Sequence, residues 1–144
     1  MITVHPQNHS DLVIEIQIQN FNWNGRCGFY WGGGRNIEAI NCQFNYNALA
    51  RFGSKAADGI DFEYFGGNPL ENGIFENCEF KHNLYSGIEC QRLTNSNYVR
   101  DILFKRCIFA SSESNTSSWA AIPGGKNFDF QGCSFLWFYY RCFS

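Results

Sequence analysis

The sequence has little charge, little proline and almost no methionine or histidine. Only 17% of its 144 residues are charged, 11 Lys+Arg stand against 13 Asp+Glu for a net charge of -2, and no basic stretch occurs. That excludes the electrostatic footprint of a nucleic-acid-binding domain. Low Leu content and the absence of a Leu/Ala/Glu/Lys pattern at 3.5 or 3.6 residues argue against a helical bundle. No apolar run reaches the ~18–20 residues of a membrane span. The longest, Phe135 to Tyr140, stops far short. The start, Met1 to Pro6, has neither a basic segment nor an apolar one, so no signal peptide is expected and the chain reads as cytosolic or as part of something longer. The three histidines do not cluster: His5 and His9 flank Pro6, and His82 stands alone. There is no C-x-x-C pair for a structural zinc site, and seven cysteines cannot all pair within one chain.

What the sequence does have is aromatic residues and a repeat. It carries 15 Phe, 7 Tyr and 4 Trp. Four cysteines share one setting: Asn41-Cys42-Gln-Phe44, Asn77-Cys78-Glu-Phe80, Arg106-Cys107-Ile-Phe109 and Gly132-Cys133-Ser-Phe135. An earlier copy, Asn20-Phe21-Asn-Trp23, aligns with Phe21 in the cysteine slot and Trp23 in the aromatic one. Three positions before the slot stand Ile18, Ala39, Phe75, Phe104 and Phe130. A buried row of free thiols is the reading for the cysteines, since unpaired Cys packs as a small apolar group. Asn before the slot suits a left-handed turn.

A second short strand follows each copy: Gly28-Phe-Tyr-Trp31, Gly59-Ile-Asp-Phe62, Gly87-Ile-Glu-Cys90 and Trp119-Ala-Ala-Ile122. Alternation turns Phe29, Trp31, Ile60, Phe62, Ile88, Cys90, Ala120 and Ile122 inward, and Tyr30, Asp61, Glu89 and Ala121 outward. Two short strands per copy, no helix between them and a variable period predict an all-β solenoid, a parallel β-helix of about five coils. The chain then forms a single domain over 1–144, with coils at about 10–34, 35–66, 67–92, 93–123 and 124–144.

Over roughly residues 10–138, the Asn-Cys-x-Phe units and Gly-Ile-Asp/Glu strands resemble the right-handed parallel β-helix, or pectin-lyase-like, superfamily. The resemblance implies right-handedness, a polysaccharide or glycan partner, and an extracellular or cell-surface setting.

An outer face is where such a fold would hold a site. Asp61 stacks over Glu89, with Glu63 on the same face and Asp58 leading into the strand. Carboxylates ~5 Å apart repel by ~1–3 kcal/mol, enough to raise one pKa. Arg51 and Lys55 lie on a long insertion at one corner and are candidate bases, and Ser111–Ser118 forms a second insertion there. Tyr30, Tyr64, Tyr85 and Trp119 are candidates to stack on sugar rings, and His82 to bind an acid group. Three readings stay open. Asp61, Glu63 and Glu89 bind Ca²⁺, which takes six to eight oxygens, for a lyase using Arg51 or Lys55. Alternatively, Asp61 and Glu89 act as acid and base on a glycosidic bond, with retention of configuration. In the third reading the strip is an ordinary solvated face of a non-catalytic module, an adhesin or phage-appendage segment.

Asp58-Gly59-Ile60-Asp61 also resembles part of the Asn-Thr-Asp-Gly-x-Asp motif of polygalacturonase-type hydrolases. That likeness implies Asp58 and Asp61 as catalytic acids, although Ala56-Ala57 replace the Asn-Thr pair. Five coils make a stack only ~24 Å tall. Without polar caps, and with the run Phe135 to Phe143 at one end, an incomplete chain, an oligomer or a missing partner segment is the expectation.

Overall fold

In a computed structural model the described residues are 2–4, 14–17, 19–48, 57–64, 69–90, 98–110, 118–121 and 125–136. They hold thirteen strands and no helix. In chain order these are β1 (Ile2–Val4), β2 (Ile14–Gln17), β3 (Phe29–Trp31), β4 (Gly34–Ile40), β5 (Ile60–Phe62), β6 (Leu70–Glu76), β7 (Glu79–Lys81), β8 (Ser86–Cys90), β9 (Val99–Lys105), β10 (Ile108–Ala110), β11 (Ser118–Ala121), β12 (Lys126–Gln131) and β13 (Ser134–Leu136). The protein is all-β, and every strand pair among them is parallel.

Three sheets result. The first is ordered β1-β3-β5-β8-β11, the second β2-β4-β6-β9-β12, and the third β7-β10-β13. Bridges from Asn20 to Gln43 and from Gln43 to Glu79 prolong the third sheet toward the N-terminus. Each sheet takes its strands in chain order, so equivalent positions of successive repeats lie beside each other. Strands buried on one face then read as alternating residues.

The core is built of columns. Phe21, Phe44, Phe80, Phe109 and Phe135 stack with ring centroids 4.9, 5.0, 4.8 and 5.2 Å apart and nearly parallel planes. Phe75, Phe104 and Phe130 form a second column at 5.0 Å per step. The two meet edge to face, as at Phe80–Phe104 and Phe104–Phe109, the arrangement that aromatic quadrupoles favour. Cys42, Cys78, Cys107 and Cys133 make a third column. Each thiol reaches a carbonyl of the preceding repeat, at Ile16 (3.6 Å), Ala39 (3.4 Å), Phe75 (3.2 Å) and Phe104 (3.4 Å) respectively. The six cysteines described are free.

The bends use left-handed backbone. Asn41, Asn77, Arg106 and Gly132 precede the cysteines with φ of 57°, 53°, 53° and 61°. Asn77 donates from Nδ2 to Asn41 Oδ1 (3.3 Å), and Arg106 from Nε to Asn77 Oδ1 (3.0 Å). Asn36, Asn72, Asp101 and Asn127 form a second left-handed column, linked by Asn72 to Asn36 and Asn127 to Asp101. Asn and Asp accept this conformation at low cost because their short polar side chains bond locally.

The first repeat departs from the expected alignment. Ile16, not Ile18, pairs with Ala39. Phe21 occupies the aromatic slot against Phe44 rather than the cysteine slot. Trp23 therefore sits two places beyond the core column, exposed, and stacks on Tyr46 at 4.7 Å. The physical reason lies in the motif that follows the slot. Phe21-Asn-Trp-Asn24 matches Phe44-Asn-Tyr-Asn47 and Phe80-Lys-His-Asn83, and burying each Phe outweighs matching one Asn at a solvent-facing bend.

Candidate functional site

Strand alternation creates the outward row of the first sheet, and register fixes it. Thr3 pairs with Tyr30, Tyr30 with Asp61, Asp61 with Glu89 and Glu89 with Ala121. The flanking inward residues Phe29, Trp31, Ile60, Phe62, Ile88 and Cys90 are fully buried. The row of Tyr30, Asp61 and Glu89 is thus brought together by the packing of its neighbours.

This row is not uniformly solvated. Asp61 is 1% exposed and Asp58 0%. Asp58 Oδ1 accepts from the Ser86 backbone N–H at 2.9 Å and from its hydroxyl at 2.5 Å. Burial first, and then the neighbouring Glu89 carboxyl, lifts Asp58 to about 8, against the opposing effect of Ser86. Ionised, Asp58 Oδ2 would be a buried charge with no donor. Asp61 rises to about 7, first through burial and then through the negative charges of Glu63 and Glu89, with Arg26 pulling the other way. Both oxygens of Asp61 lack a hydrogen-bond donor.

Three residues not anticipated from the sequence complete the surroundings. Arg26 pairs with Glu63 at 3.8 Å. Ser86 holds Asp58. Cys27, fully buried, is raised to about 11 by burial and by Asp61. Tyr30 is raised as well, by burial and then by Glu63.

The remaining predicted site residues are dispersed. Tyr64 stacks on Tyr98 at 4.0 Å. Tyr85 is exposed and donates its backbone N–H to Ala57 O (3.1 Å). His82 stacks on Tyr46 at 5.0 Å and continues the Trp23 column. Trp119 is placed in β11 by its backbone alone. Arg51, Lys55 and residues 111–117 of the second insertion lie outside the described residues. Among the described residues no group of three or more His, Cys, Asp or Glu is set to hold a metal ion. No described helix is long and apolar enough to cross a membrane.

The third bend differs from the other two. Trp23, Tyr46 and His82 all have left-handed backbone, with φ of 60°, 56° and 55°. Large side chains pay about 1–2 kcal/mol each for that conformation. Beneath them, Asn24 donates to Asn47 Oδ1 (3.0 and 3.1 Å), and Asn47 to Asn83 Oδ1 (3.0 and 2.9 Å). Asn83 closes this ladder on Phe44 O at 2.8 Å. The rings are thereby held in place from below.

No family model, no curated protein and no solved structure matches this chain.

Proposed function

We propose that the three sheets are the faces of one right-handed parallel β-helix, and that the protein is a non-catalytic module of that fold which binds glycans on its outer surface. The recurring strand order supports the solenoid: one strand or bridge of each sheet is visited in turn, and each new strand is laid parallel beside its predecessor. The observation that carries the functional reading is the burial of Asp58 and Asp61. Their carboxyls are enclosed in the wall, one on Ser86 and both beside Glu89, so a glycosidic oxygen does not reach them. Exposed aromatic rings stand elsewhere on the surface, Trp23 foremost among them.

A second reading has one observation in its favour. Asp61, raised to about 7 and paired in register with Glu89, has the proton affinity of a general acid at neutral pH. That would suit hydrolysis or lyase action on a polysaccharide. The two readings separate on a panel of neutral and uronate-containing polysaccharides. The non-catalytic module gives binding without turnover, and Asp61→Asn and Glu89→Gln leave binding unchanged. Turnover by the parent chain that either substitution abolishes, by a hundredfold or more, would establish the enzyme instead.

A further inference from the structure

We infer that the Trp23–Tyr46–His82 column at the third bend is a sugar-stacking platform for a neutral pyranose, with the Trp23 indole as its contact face. This rests on the glycan-binding reading and gives it a location. Trp23 is 69% exposed, more than any other large apolar residue described. Its single described ring contact is with Tyr46, at 4.7 Å and an interplanar angle of 5°. Tyr46 in turn lies on His82 at 5.0 Å. The indole is thus a rigid flat surface, supported on one side and open on the other, the shape that the apolar C–H face of a sugar ring covers.

Backbone conformation points the same way. At the two other left-handed bends the described residues are Asn five times, with Asp101, Arg106 and Gly132 once each, so the conformation is cheap at all but one of them. At this bend the chain places Trp, Tyr and His. Strain of that kind persists where the side chains are required and the surroundings enforce it, and the Asn24–Asn47–Asn83 ladder, buried at Asn47 and Asn83, supplies the enforcement.

The chemistry around the ring selects the ligand. Trp23 is flanked by the uncharged Asn22 and Asn24, whose amides are already bonded to Gln43 and Asn45 and to Asn47. The indole face itself therefore carries the contact, and an apolar ring face suits the C–H face of a neutral sugar rather than a carboxylate. A single exposed indole bordered by amides is also far smaller than the apolar centre of a protein–protein interface. A sugar ring fits it.

The test is calorimetric titration with neutral gluco-, galacto- and mannohexaoses, with oligogalacturonate as the acidic control. The expected result is binding of at least one neutral hexaose, weakened tenfold or more by Trp23→Asn and only partly by Trp23→Phe. Asn is better suited than Trp to φ of 60°, so Trp23→Asn keeps the parent's far-UV spectrum, and lost binding then reports lost contact rather than lost fold. If the parent binds a neutral hexaose and Trp23→Asn binds it equally well, the platform is wrong while the glycan-binding reading stands. If the parent binds none of these sugars, or the oligogalacturonate alone, the neutral-sugar assignment falls. If an array of other glycans is also blank, the glycan-binding reading falls with it.

Discussion

Asp61 shows how a residue can be put in its row by alternation and still, with Asp58 beside the strand, have unexpected chemistry. Period-two patterning put Asp61 on the outward row with Tyr30 and Glu89, and that is where it lies. The sequence carried no sign that this part of the row is buried, because burial of an outward side chain depends on what packs over the sheet. The consequence is a pH dependence whose sign is fixed. In the unfolded chain both carboxyls ionise near 4, whereas in the folded protein they hold their protons to about 8 and about 7. Between those limits the folded state binds more protons, so stability is greatest at the acid end of the window and falls as pH rises through it. Thermal melts at pH 5 and pH 8 should show the protein less stable at pH 8, by on the order of 2 kcal/mol or more. Asp58→Asn should flatten that slope. A melting temperature that rises between pH 5 and pH 8 would contradict the protonated cluster.

At the level of strands and turns, the repeat was legible wherever two signals agreed. Cys and Phe two residues apart aligned the repeats at 42, 78, 107 and 133, and the strand registers follow that alignment. It slipped by two residues in the first repeat, where Asn20 and Asn22 offered competing matches and no cysteine fixed the choice. The Phe-x-ring-Asn motif would have resolved it. The glycines that open the second strands are required by close packing rather than by backbone angle. A Cβ on Gly28 would lie 2.8 Å from Asn47 Nδ2, Gly59 O and Phe21 O, two of which are backbone atoms that cannot turn aside. Gly28→Ala should therefore cost roughly 1–3 kcal/mol in urea unfolding. Gly25→Ala, with open space around the new Cβ, should change stability by less than about 0.5 kcal/mol.

For the molecule as a whole, stacking makes each repeat depend on its neighbours. Strands β6 and β9 are paired on both sides, whereas β12 and β13 are paired on one side among the described residues. Phe104 is buried among five rings, while Phe135 and Leu136 remain exposed. Native-state hydrogen exchange should find the slowest amides in β6 and β9 and the fastest of the paired ones in β12 and β13. Phe104→Ala should cost about 3–5 kcal/mol and Phe135→Ala clearly less. Equal protection along the whole stack would mean that the repeats unfold as a single unit.

The thiol column gives the stack a direction in time. Each cysteine has a carbonyl of the repeat before it within hydrogen-bonding reach, from Cys42 to Ile16 through to Cys133 to Phe104. A repeat newly emerged from the ribosome finds those acceptors already in place on the one made earlier, while its own bend amides, such as Asn41 N–H on Glu76 O and Asn77 N–H on Lys105 O, are completed by the repeat that follows. Growth can then proceed like crystallisation on a seed, laid down in the order of synthesis.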